Sequence, residues 1–224
     1  MSLLRVDASI RAEGSTSRAL ADIVEGQWLD IATAPTIVRR EIGTTPLPSE
    51  AWAAALAASA TPAPDRTPGQ QSALDLAGAL VDELAVAEAY LFAVPLYNFG
   101  VSQHFKAYVD LVVADARMSP ERTPVTSGKP GVLVTVQGGN YAPGTPKEGW
   151  DHATAWMRRI LEDVWRIDLE VVTREFTLVG VNPALDGFTE LAKEIKTNAE
   201  QHAHRQGRAL ASRQLTARAD AAIR

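Results

Sequence analysis

Three short stretches hold residues whose types and spacing could do chemistry. The first runs from Asp7 to Arg18 and gathers Ser9, Gly14, Ser15, Thr16 and Ser17 where a helix begins. Hydroxyls beside the free N–H groups of a helix N-terminus can hold a phosphate; the same residue types also serve as ordinary helix caps. Neither G-x-x-x-x-G-K-[ST] nor G-x-G-x-x-G occurs there, so the stretch is no P-loop and no dinucleotide fingerprint. The second stretch is Pro95, Leu96, Tyr97, Asn98, Phe99 and Gly100, directly after an apolar run. A chain leaving a buried strand normally turns with small polar residues, yet here two aromatic rings flank an asparagine. The rings could face a flat bound group, or they could be packing. The third is Gln137, Gly138, Gly139, Asn140 and Tyr141. Paired glycines let backbone approach a ligand closely, or they serve a turn that needs positive φ.

These stretches need elements to position them. Short apolar runs predict strands over 3–6, 36–42, 89–94 and 131–136. A fifth begins at 169–172, with a kinked continuation to 179 left open. Helical spacing predicts helices over 19–29, 49–59, 70–85, 102–114, 152–165 and 188 to about 212. Proline-rich loops fall at 61–69 and 118–130. Alternating strands and helices imply an α/β fold: a doubly wound parallel sheet with helices on both faces. Such sheets bind ligands beyond the carboxyl ends of their strands, near the topological switch point. In a flavodoxin-like five-stranded order, 2-1-3-4-5, the loops after strands one, three and four meet. The first of these loops suits a phosphate and the other two suit a planar heterocycle, a combination that describes FMN. No internal repeat or linker interrupts residues 1–224, which read as a single domain.

Composition narrows the chemistry further. The 224 residues are 46% hydrophobic and 22% charged, with net charge −5. That balance offers no basic surface for nucleic acid. The absence of cysteine removes disulfides, thiolate nucleophiles and zinc–thiolate sites. The N-terminus lacks the apolar core of a signal peptide, and no stretch approaches about 20 uncharged apolar residues. No membrane span is expected, and the cytoplasm is the default location. The four histidines show no metal-ligand spacing. His202 and His204 suit a solvated helix, His152 a helix cap and His104 a helix surface near the Tyr97–Phe99 stretch. Trp165 suits the core or a dimer interface. The basic tail 205–224 suits a solvated helix end.

At Pro95–Phe99, followed by Lys106, Ala107, Tyr108, Val109 and Asp110, the chain resembles a known family. The pattern is the P-M-Y-N-F…L-K-N-Y-F-D of the FMN-dependent NADH:quinone oxidoreductases, or azoreductases. Ser9 with Ser15, Thr16 and Ser17 is similar to that family's phosphate loop. Thr135 to Gly139 is similar to its T-S-R-G-G loop. The resemblance implies that Ser9, Ser15, Thr16 and Ser17 hold the FMN phosphate. Pro95, Leu96, Tyr97, Asn98 and Phe99 then line the ribityl chain and one side of the ring, and Gln137, Gly138 and Gly139 meet its other polar edge. It implies NADH or NADPH as donor, a quinone or azo acceptor, ping-pong hydride transfer through flavin N5, and a homodimer with flavin at the interface. Gly100, Arg117, Met118, Asn140 and Tyr141 are the substrate-side candidates, with Arg117 and Met118 suspected in a lid.

The chain also departs from the family pattern. Val136 and Gln137 stand where the family has Ser-Arg, Ala116-Arg117-Met118 stands for Phe-Arg-Tyr, and the segment 140–150 is longer. These departures bear on acceptor and nicotinamide preference. A flavodoxin-type electron carrier, a reductase dedicated to one polycyclic quinone, and a flavin-free binding domain are the alternatives.

Overall fold

In the computed structural model, which describes residues 1–119 and 121–223, six strands build one sheet. They are β1 (Ser2–Asp7), β2 (Thr36–Glu41), β3 (Ala89–Tyr97), β4 (Gly100–Val101), β5 (Pro130–Val136) and β6 (Asp168–Arg174). The order is β2-β1-β3-β5-β6, with β4 off this path. The expectation of five strands in the order 2-1-3-4-5 is corrected by one short element. β4 folds back antiparallel on β3, pairing Tyr97 with Gly100 and Leu96 with Val101. The other five strands pair in parallel.

The helices are α1 (Thr16–Leu29), α2 (Ala51–Ser59), α3 (Pro68–Val86), α4 (Gln103–Val113), α5 (Thr154–Arg158) and α6 (Thr189–Ile223). Side chains alternate across β3, as a strand requires. Tyr90, Phe92, Val94 and Leu96 join a core with residues of α2, α3, α4 and α5, while Leu91 and Ala93 join a second core with residues of α1 and α6. A sheet covered on both faces explains why β3 and β5 are continuously apolar. Trp165 lies fully buried in the first core, beside Phe92 and Tyr108. Across the second, buried Trp28 donates its indole N–H to Gln214 Oε1 at 2.6 Å and ties α1 to α6.

Several boundaries differ from the sequence expectation. β3 runs on through Pro95 to Tyr97, because Pro95 sits near the strand end, where a missing N–H is tolerated. The helix expected over 152–165 begins at Thr154 and continues as a π-helix over Arg159–Val164. Asp151, not His152, caps its start: Asp151 Oδ1 accepts from Ala153 N and Thr154 N. β6 stops at Arg174 and does not reach 179. The last helix extends to Ile223. Among the described residues, no helix is long and apolar enough to cross a membrane.

Candidate cofactor site

The loops after β1, β3 and β5 meet in one cleft of about 720 Å3 at the carboxyl end of the sheet. That volume lies within the range of small-molecule sites, roughly 300–1,000 Å3.

At one end stands the hydroxyl-rich loop. Ser15 caps α1 by accepting from Arg18 N, and its hydroxyl lies 3.2 Å from that of Ser17. The first N–H groups of α1 have no carbonyl one turn earlier and point outward as donors. The loop is held from three sides. The Tyr97 phenol oxygen accepts from Ile10 N at 3.2 Å and lies 3.4 Å from Ser9 Oγ. Arg18 reaches back from the first turn of α1 and donates to Ser9 O at 3.2 Å and Arg11 O at 3.0 Å, while also pairing with Glu41. From below, a Cβ on Gly43 would stand 2.1 Å from Ser9 O, so only glycine lets the end of β2 approach this loop. Under the loop, Asp7 is fully buried and bound by Arg5 through two hydrogen bonds. Burial raises the Asp7 carboxyl above its ordinary range, against the pull of Arg5.

The middle wall is the turn between β3 and β4. Its two central residues, Asn98 and Phe99, both have positive φ, 48° and 65°. A two-residue hairpin asks for this because it matches strand twist, and non-glycine residues held there cost about 1–3 kcal/mol each. Contacts offset the cost. Phe99 O accepts from His152 N at 2.9 Å. The Phe99 ring makes edge contacts with Trp150 and Tyr141, centroids 5.1 and 6.1 Å apart. The ring still keeps 37% of its exposure, facing the cleft. The aromatic residues around Asn98 therefore serve both readings: packing on one side, a wall on the other.

The third wall is Gly138 and Gly139. A Cβ on Gly138 would meet Leu178 Cδ1 at 2.7 Å. The segment after β6 leaves the sheet because its amides go to this loop instead. Thr177 N donates to Gln137 O, Leu178 N to Gly138 O and Phe176 N to Gly139 O, all at 3.1–3.2 Å.

Ser9, Ser15, Thr16, Ser17, Pro95, Leu96, Tyr97, Asn98, Phe99, Gly138, Gly139, Asn140 and Tyr141 all line the cleft. Four candidates do not. Gln137 is buried beneath the wall, and its amide donates to Asp151 Oδ2 at 2.7 Å. Gly100 lies in β4, past the turn. Met118 packs in the first core. Arg117 is held by Asp115, Asp82 and the carbonyl of Gly78. The suspected lid over this chain's cleft is thus a packed corner beside α3. Sequence reasoning missed Ile10 and Lys147, together with the apolar run between Phe176 and Leu191. Gly180, with φ 80°, was the available sign that this run turns and does not extend β6.

The residues present fit FMN. Hydroxyls and free amides stand at one end, and a slot between the Asn98–Phe99 turn and the Gly138–Gly139 backbone stands at the other. Among the described residues, no group of three or more His, Asp or Glu could hold a metal ion.

Residues 1–205 match the family model described as flavodoxin-like fold. An FMN-dependent NADH:quinone oxidoreductase of Frankia alni is 39% identical over 200 residues, covering 88% of this chain and 94% of that protein. One of Streptomyces avermitilis is 31% identical over 212 residues, covering 94% and 97%. An azoreductase of Bacillus anthracis superposes with TM-score 0.75 at 20% identity, covering 93% of this chain and 99% of that one. A Bacillus anthracis FMN-dependent NADH-azoreductase solved in complex with FMN gives TM-score 0.72 at 16% identity, covering 92% and 100%. At these identities the solved structures speak to the fold. Identity of 39% over 88% of the chain, with the family model matching residues 1–205, speaks to more: the chain belongs to the flavodoxin-like family of FMN-dependent NADH:quinone oxidoreductases.

Proposed function

We propose that this chain is an FMN-dependent NAD(P)H oxidoreductase that reduces quinones, azo compounds or similar planar aromatic acceptors. One observation carries the reading: a hydroxyl-and-amide end and a flat, glycine-walled slot share a single cleft beyond the carboxyl ends of β1, β3 and β5. Ser9, Ser15, Thr16, Ser17 and the first amides of α1 hold the phosphate. Leu96, Tyr97, Asn98 and Phe99 line the ribityl chain and one ring edge. The N–H groups of Gly138 and Gly139 meet the other edge. Bound FMN supplies the two-electron hydride chemistry, so the protein needs no nucleophile and no metal. Its residues orient the ring, leave one face open and admit donor and acceptor to the same space in turn, which is a ping-pong scheme.

Gln137 replaces a family arginine and is turned toward Asp151, so this position brings no positive charge to the reduced ring. A lower flavin potential follows. Arg11, on the cleft wall, is the arginine available to the second phosphate of NADPH. We further infer a homodimer with the flavin at its interface, Ile10 and Trp150 offering exposed apolar surface for the second copy. Dependence on NADH fits a cytoplasmic location.

The test is a visible spectrum of the purified protein, followed by NADH without oxygen. A yellow protein that bleaches is the expected result. Yellow that persists with both nicotinamides points to an electron carrier, and a colourless protein that rejects added FMN removes the flavin.

A further inference from the structure

The cleft is larger than its three loops, and the remainder of its wall comes from one segment. Between β6 and the first turn of α6, the chain presents Phe176, Leu178, Val181, Leu185, Phe188 and Leu191 to the cleft. This lobe is built, not loose. The amides of residues 176–178 are bonded to the Gly138–Gly139 loop, as described above. Val181 N and Asn182 N return to Leu178 O, and Asn182 Oδ1 caps the 3-10 turn Pro183–Phe188 through Ala184 N. The Phe176 and Phe188 rings stack with centroids 5.0 Å apart.

Two properties of the lobe require explanation. Four of its large apolar side chains stay exposed, Leu178 at 40%, Val181 at 68%, Phe188 at 45% and Leu191 at 43%, while Phe176 is buried beneath them. Its charged neighbours, Glu175, Asp186 and Glu190, do not line the cleft. An apolar patch continuous with a ligand cleft marks a binding surface. The absence of charge on the lobe itself selects what lies against it, because an ionised group seated there would lose its water with no charged partner from the lobe, the cleft's cations Arg11 and Lys147 belonging to its other walls.

We infer that the segment Phe176–Leu191 is an acceptor subsite for neutral quinones carrying an apolar extension, such as an alkyl chain or fused ring, on the side away from the reducible carbonyls. The inference rests on reading the cleft as an FMN oxidoreductase site. The bonds from 176–178 to the Gly138–Gly139 loop fix the lobe beside the ring edge, so an acceptor stacked on the ring can lay its extension against Leu178, Val181 and Phe188. The overall reaction balances: the quinone gains a hydride equivalent from NADH and a proton from solvent, giving the hydroquinone and NAD+.

The test measures kcat/KM with NADH for neutral 1,4-benzoquinones bearing n-alkyl tails from methyl to hexyl, and for one hexyl-length tail ending in carboxylate. The expected result is a rise of up to about fourfold per methylene until the lobe is filled. The carboxylate-ended quinone falls below its neutral counterpart. Val181→Asp flattens the series, and Val181→Leu keeps it. Flavin reduction by NADH alone is followed in parallel by stopped flow. A wild-type flavin that NADH does not reduce removes the underlying enzyme reading. A flavin that is reduced normally while tailed and tailless quinones turn over alike removes the lobe. A Val181→Asp protein that keeps the slope, or that changes sedimentation because copies part there, also overturns the inference.

Discussion

Gly43 offers the sharpest test of how the phosphate end is built. It follows β2, and its N–H donates to Asp7 O at 3.1 Å. In Gly43→Ala, the added Cβ would stand 2.1 Å from Ser9 O, 2.4 Å from Ser9 C and 2.7 Å from Ala8 C. All three are backbone atoms, so no rotamer relieves the contact. Ordinary contact begins near 3.4 Å, which leaves about 1.3 Å for the backbone to give. Ser9 cannot give that much freely, because its carbonyl accepts from Arg18 and its hydroxyl accepts from Arg11 N. Overpacking of this kind costs about 1–3 kcal/mol. At roughly 2–4 °C per kcal/mol for a chain this size, the melting temperature of the apoprotein falls by about 2–12 °C. Displacing Ser9 from the phosphate removes one charge-assisted hydrogen bond, about 1.5–3 kcal/mol. That is roughly a 10- to 150-fold rise in the Kd for FMN. Circular dichroism melts and quenching of flavin fluorescence measure the two effects. Gly26→Ala is the control: it sits within α1 with nothing within 4 Å of its added Cβ, and should stabilise by about 1 kcal/mol without touching FMN. If Gly43→Ala melts and binds FMN like the wild type, the close approach of β2 to Ser9 is wrong.

Two further substitutions probe the neighbouring walls. Arg18→Gln removes the clamp on the carbonyls of Ser9 and Arg11, so FMN should weaken about tenfold or more while riboflavin, which has no phosphate, weakens far less; equal losses for both ligands count against a role in shaping the phosphate loop. Asn98→Gly should relieve the positive φ of the turn and raise the melting temperature, whereas Asn98→Ala should lower it by about 2–8 °C, for an αL cost of about 1–2 kcal/mol. Both variants should retain FMN poorly, and unchanged retention in both means that the Asn98 side chain does not touch the cofactor.

Much of this protein was legible locally. Apolar runs such as 89–94 read as buried strands, and alternation with helical spacing leaves few topologies. Hydroxyls at a helix start, rings around Asn98 and paired glycines are local signals as well, and they do meet in one cleft. The two-residue strand β4 was hidden because its turn uses Asn98 and Phe99 where a hairpin normally shows glycine. Gln137 sits at the expected position, but its amide was claimed by Asp151, fourteen residues on.

By itself, then, the sequence determined the parallel α/β architecture and the three loops, because each follows from periodicity and residue chemistry within about ten positions, and the cofactor class followed only from the three loops taken together and from the family resemblance. Tertiary structure alone decided which residues turn toward the cleft. Arg117 found Asp82 across 35 positions, and Thr177 bonded to Gln137 O across 40, carrying an apolar segment from the sheet to the cleft wall. Hydrogen bonds at such separations leave no trace in local pattern, since any of many donors could have satisfied the same acceptor until the chain had folded.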